Sequence, residues 1–131
     1  MFSSLQKTLP VTNSDANSTL ASNINNIVDD SFRTLIAELG GKTFAHGMYR
    51  VYPGNQVAMA TERISTLFPK LAGGIVAFSY DWLGRHFVID MNRRSQRGEA
   101  LLLMLEPGSG DVFEIPCDVV QFHQVDLVNI F

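Results

Sequence analysis

Three histidines, His46, His86 and His123, are the first candidates for catalysis or metal ligation in this sequence. They lie far apart, and none stands in a metal-ligand spacing. A satisfied structural histidine is the favoured reading at each position, and metal chemistry is unsupported. His86 follows a turn and alternates with Phe87, which places it on the solvent side of a hairpin. Ser109 sits in Pro107-Gly108-Ser109-Gly110, close to G-x-S-x-G without matching it. It also falls between two strands, whereas a nucleophile elbow needs a strand-to-helix turn. Cys117 is the sole cysteine, follows a proline and has no evident paired base, so an inert, buried or half-buried thiol is expected.

The remaining chemistry-bearing groups point the same way. Glycines at 73, 74, 84, 98, 108 and 110 form neither G-x-x-x-x-G-K-[ST] nor G-x-G-x-x-G before a helix, and suit turns instead. Asp81 and Asp90 stand at opposite ends of an expected hairpin strand. At about 3.3 Å per residue they are roughly 30 Å apart, too far for an acid/base pair. Arg93, Arg94 and Arg97 are the basic cluster. A solvated loop is the favoured reading, with contact to phosphate or to an acidic partner as the alternative. Trp82, in Asp81-Trp82-Leu83-Gly84-Arg85, either fills a gap in the core or anchors an interface. The core reading is favoured, with Asp81 closing the turn and Gly84 supplying a positive φ.

The elements that would carry these residues follow from periodicity. Residues 1–28 are rich in Ser, Thr and Asn, which favour turns over helix interiors, and read as a polar leader, either a docking arm or loosely ordered. Phe32, Leu35, Ile36 and Leu39 follow helical spacing; Asp29, Asp30 or Ser31 can cap that helix, and Gly40-Gly41 ends it. Residues 42–52 suit one short strand or an irregular extended piece. Val57, Ala60, Ile64, Leu67 and Phe68 make a second helical stripe between Pro53 and Pro69. Strands are then expected over 75–80, 86–91, 99–105 and 112–115, with 92–98 as a polar loop and 118–127 as a closing helix. Hairpin-length turns require antiparallel pairing. The expected fold is α+β: helices packed on one face of a mainly antiparallel sheet, with a meander in the C-terminal half.

Length and composition set the outer bounds. The 131 residues fit one domain, taken as 29–131 behind the leader. With 46% hydrophobic and 18% charged residues the chain can bury an ordinary core, and its net charge of −3 argues against a dedicated nucleic-acid binder. The start has no charged and apolar signal pattern, and no apolar run approaches the roughly 20 residues that cross a bilayer. One cysteine precludes an intrachain disulfide, so a cytoplasmic location without membrane association is expected.

Several segments resemble a known family. Phe68-Pro69, the run 75–90 (I-V-A-F-S-Y-D-W-L-G-R-H-F-V-I-D), the run 105–110 (L-E-P-G-S-G) and Phe122-His123 are similar to the bacterial type VI secretion immunity proteins related to Tdi1. The strand–turn–strand with a closing aspartate also resembles the wider SMI1/KNR4 (SUKH) immunity superfamily. The likeness covers about residues 30–127 and is strongest over 68–123. The polar leader has no counterpart in it. The resemblance implies a non-enzymatic protein that neutralises a cognate effector toxin, often a nuclease, by stoichiometric binding, with no cofactor and no direct contact to nucleic acid. An acidic inhibitor suits a basic nuclease, because complementary fields speed encounter.

Candidate partner-contacting residues are Asp81, Trp82 and Arg85 on the hairpin turn, with the acidic Asp111, Glu114 and Asp118. A small homo-oligomer is compatible with this reading. The alternative is a regulatory or scaffolding interaction domain of SMI1/KNR4 type. A third reading makes Arg93, Arg94 and Arg97 the hooks of a small-ligand or nucleotide site.

Overall fold

The computed structural model describes Phe2, residues 11–14 and residues 17–126, without the side chains of 125 and 126. One seven-stranded sheet organises the chain, in the order β1 (Val11–Ser14), β2 (Lys42–Phe44), β3 (Tyr49–Val51), β4 (Ile75–Asp81), β5 (His86–Arg94), β6 (Ala100–Glu106) and β7 (Asp111–Ile115). Every adjacent pair is antiparallel. The helices are α1 (Ser22–Asn25), α2 (Asp30–Leu39), α3 (Val57–Leu67) and α4 (Val119–Gln121), the last continuing as a π-helical turn over Phe122–Asp126. The architecture is α+β on an antiparallel meander, as the spacing of apolar residues and turns requires.

α2 starts where Asp29 accepts the Phe32 N–H at 3.1 Å and buries Phe32, Leu35, Ile36 and Leu39. Its glycine stop divides two tasks. Gly41 takes the left-handed φ of 81°, while Gly40 stays at φ −56° and permits a close approach. A Cβ on Gly40 would lie 2.4 Å from the Ile36 carbonyl oxygen. α3 ends before Pro69, and its Thr61 Oγ1 accepts the Ala77 N–H at 2.9 Å, on a stretch of β4 that β3 does not reach.

Three segments differ from the sequence expectation. Residues 42–52 form two strands rather than one, joined by a 3₁₀ turn over Ala45–Gly47. That turn takes positive φ at Ala45 (51°), His46 (55°) and Gly47 (94°); alanine seldom adopts it, so a single glycine was the sign the sequence carried. β5 runs on to Arg94, past a register shift after Asp90, so Arg93 and Arg94 belong to a strand and not to a loop. Part of the leader carries structure: β1 is the edge strand beside β2, and Phe2 is fully buried.

Cross-strand partners share a face of the sheet. Phe87 opposite Ser79, and Ile89 opposite Val76 and Leu102, define the face on which α2 and the closing helical segment pack. Ring contacts join Phe78 to Phe32 at 6.3 Å and Phe87 to Phe122 at 5.2 Å. The helical layer on one face holds for those elements. α3 lies against the reverse face, where Tyr80, His86, Leu105 and Val112 are successive cross-strand partners. Its Ile64 and Leu67 border the same cavity as Tyr80 and His86.

Candidate functional site

The turn between β4 and β5 is the most tightly specified piece of the surface. Asp81 is buried, and its Oδ1 accepts the N–H groups of Leu83 (3.1 Å) and Arg85 (3.0 Å). Its Oδ2 pairs with the Arg85 guanidinium at 2.5 Å. Backbone bonds from Asp81 N–H to Arg85 O and from Gly84 N–H to Asp81 O complete the loop, with Gly84 at φ 80°. The Trp82 N–H donates to Met48 O, tying this turn to the one between β2 and β3.

This scaffold holds apolar side chains out of the core. Trp82 is 61% exposed, Leu83 57% and Met48 37%. The core-filling reading of Trp82 therefore gives way: the turn puts its side chain beyond the last strand pairing, Tyr49 with Asp81. A tryptophan exposed on a locked turn is an unusual use of about 200 Å² of apolar surface.

The other expected contact residues are not brought together here. Arg85 is committed to Asp81. Asp111 and Glu114 are exposed on the outer strand β7, and Glu114 bridges to Arg93 at 3.1 Å. Asp118 lies past the far end of β7, 4% exposed, where it caps α4 by accepting the Gln121 N–H at 2.9 Å and pairs with Arg97 at 3.4 Å. Asp81 and Asp118 thus act inside the fold, as a turn lock and a helix cap.

The arginine cluster is likewise engaged within the chain. Arg93 binds Asp90, Glu114 and the Leu102 carbonyl; Arg94 reaches Gly98 O and lies 4.0 Å from Asp29; Arg97 holds Asp118. An anion would have to displace these partners, which removes the support for a nucleotide site there. Beside them Glu99 accepts from Ser31 Oγ at 2.8 Å, while its Oε2 is buried without a donor. Two ionised carboxylates cannot bond each other, so the contact of Glu99 with Asp118 requires a proton. The hydrogen bond to Asp118 and burial both raise the Glu99 pKa. For Asp118 burial works upward, but the bonds from Glu99 and the Gln121 N–H prevail and lower it.

The histidines occupy three environments. His46 lies on the strained β2–β3 turn. His123 is fully buried, with Nδ1 2.7 Å from Val119 O and Nε2 2.6 Å from the Tyr49 hydroxyl, which also meets Ser79 Oγ at 2.7 Å. Burial lowers the His123 pKa to about 4, against a smaller upward pull from the Val119 carbonyl. Burial pushes the Tyr49 pKa strongly upward. This Ser79–Tyr49–His123 group lies in the core and holds the closing segment to the sheet. His86 borders α3 and an open cavity of about 490 Å³ instead of facing plain solvent.

Ser109 sits in the β6–β7 turn and accepts the Asp111 N–H, and Cys117 is buried. Among the described residues no group of three or more His, Cys, Asp or Glu is placed to hold a metal ion, and no helix is long and apolar enough to cross a membrane. Asp81 and Asp90 fall at opposite ends of the β4–β5 pairing, but the chain folds back between them, with Asp81 opposite Arg85. At about 3.3 Å per residue they are therefore roughly 16 Å apart, rather than the roughly 30 Å of a straight strand.

The fold and this surface define an α+β domain with a rigid apolar tip and an interior histidine. Comparison with known proteins returned no matching family model, curated protein or solved structure.

Proposed function

We propose that this chain is a cytoplasmic immunity protein that neutralises a cognate bacterial toxin by direct stoichiometric binding, without catalysis of its own. A nuclease is the leading candidate for the toxin's chemistry. The observation that carries the reading is the exposed Trp82–Leu83 tip on a turn pre-organised by Asp81. Interface hot spots are enriched in tryptophan, and a rigid anchor loses little entropy on binding. The resemblance of the 75–90 and 105–110 runs to type VI secretion immunity proteins supports the same reading. So does the acidic balance of −3, which complements a basic nuclease.

Co-expression with the product of the neighbouring gene, where the proposal expects the cognate toxin, tests it. Protection of the host cell and an equimolar complex are expected. Trp82→Ala should weaken that complex by about 30-fold or more, as a hot spot of at least about 2 kcal/mol implies, with thermal stability close to the parent protein. Neither protection nor a complex would sink the toxin reading and favour a regulatory or scaffolding domain of SMI1/KNR4 type. Binding unchanged in Trp82→Ala would move the contact surface away from the tip.

A further inference from the structure

The cavity between α3 and the β4–β5 hairpin is built from residues distant in sequence: Tyr52, Gln56, Arg63 and Leu67 on one side, Tyr80 and His86 on the other. Its volume of about 490 Å³ lies within the range of small-ligand sites, roughly 300–1,000 Å³. Among the described residues no carboxylate lines it, although the chain as a whole is acidic. Burial raises the Tyr52 pKa, and the charge of exposed Arg63 pulls it the other way; Arg63 forms no ion pair with a described carboxylate.

The rings form a continuous shelf. Tyr52 and Tyr80 are 5.1 Å apart between centroids, and Tyr80 and His86 are 6.1 Å apart. His86 Nδ1 is shut off from solvent and has no partner. An N–H at that atom would be buried and unsatisfied, so the neutral ring carries its proton on Nε2. The cavity therefore offers a guanidinium, an imidazole N–H, a Gln56 amide and an aromatic-aliphatic wall. Burial and the nearby Arg63 charge lower the His86 pKa, with Asp81 pulling the other way.

We propose that this cavity binds a small organic anion that carries both a carboxylate and an aromatic ring. The carboxylate sits on Arg63 and the His86 N–H, and the ring lies against Tyr80 and Leu67. Bidentate recognition by Arg supplies the charge specificity, and ring stacking supplies the preference for a flat body. The same chemistry is offered by a free aromatic acid and by the terminal carboxylate of a polypeptide ending in Phe. The site is separate from the Trp82 tip, and its test shares no readout with toxin protection.

The experiment uses the full chain in two-dimensional amide NMR and calorimetry. Benzoate is the probe, benzamide its neutral counterpart, and inorganic phosphate a bare anion. Saturable shifts at Arg63, Tyr80 and His86 with benzoate are expected, with binding at least tenfold weaker for benzamide. Arg63→Gln should lose at least tenfold in benzoate affinity while keeping the parent melting curve, since Arg63 is exposed, and Arg63→Lys should recover part of it. N-acetylphenylalanine binding tighter than benzoate identifies a polypeptide terminus as the source; the reverse identifies a free aromatic acid. No saturable shift with benzoate, equal binding of phosphate, or full affinity in Arg63→Gln would each overturn the proposal.

Discussion

Lowering the pH from about 7.5 to about 5.5 should destabilise this protein chiefly through His123, over a range in which most carboxylates remain ionised. His123 is fully buried among Phe2, Phe78 and Phe122, with ring centroids 5.6, 5.6 and 5.2 Å away. The Val119 carbonyl can only accept, so Nδ1 holds the proton and Nε2 accepts from the Tyr49 hydroxyl. A second proton on Nε2 would place a full charge in a dry site walled by aromatic rings, even with the Tyr49 hydroxyl turned to donate to Ser79 Oγ.

The folded-state pKa of about 4 lies below the ordinary 6.5, so the unfolded chain takes up the proton first. This contribution is fully present above the unfolded value and is lost as the pH falls toward the folded one. A gap of that size corresponds to about 3 kcal/mol when fully expressed, of which about 1.4 kcal/mol is lost by about pH 5.5. Urea denaturation at the two pH values measures it. His123→Gln should lower stability at neutral pH and flatten the slope, leaving the smaller share of half-exposed His86. An NMR titration of the His123 ring with a midpoint near 6.5 would refute the reasoning, as would an undiminished slope in the variant.

Asp81→Ala removes the acceptor for two turn N–H groups and the partner of Arg85, and should cost about 3 kcal/mol in denaturant unfolding. A loss below about 1 kcal/mol would show that the turn closes without its aspartate. Glu99→Gln supplies Asp118 with a permanent amide donor, so thermal stability at neutral pH should rise. The raised Glu99 pKa contributes stability at low pH that is lost as pH rises through it, while the lowered Asp118 pKa contributes stability above its ordinary value that is lost as pH falls. The gain from Glu99→Gln should therefore shrink on acidification, where Glu99 holds its own proton. A gain independent of pH, or none at neutrality, would argue against the shared proton.

The sequence by itself determined the two long helices, the antiparallel meander and the turns at 82–85 and 107–110. Each depends on contacts within a few residues: apolar side chains at helical spacing, alternation along a strand, glycine where φ is positive. It also marked Asp81 as the lock of its turn, because an aspartate reaches the N–H groups just after it wherever the turn is placed. Tertiary structure decided the rest. Trp82 faces outward because the hairpin projects past the last strand pairing, a fact set by register with β3 and not by its neighbours in sequence. Arg93 and Arg94 became strand residues because β6 runs alongside past the register shift and pairs Arg94 with Ala100, a contact set by tertiary packing. The leader gained an edge strand and a buried Phe2 only because β2 left an unpaired edge and the core left room beside His123. Tyr52, Arg63, Tyr80 and His86 share one cavity only because α3 crosses the reverse face of the sheet. A cavity whose walls come from separate elements leaves no periodic trace in the chain, since spacing records local geometry and a ligand site is assembled by packing.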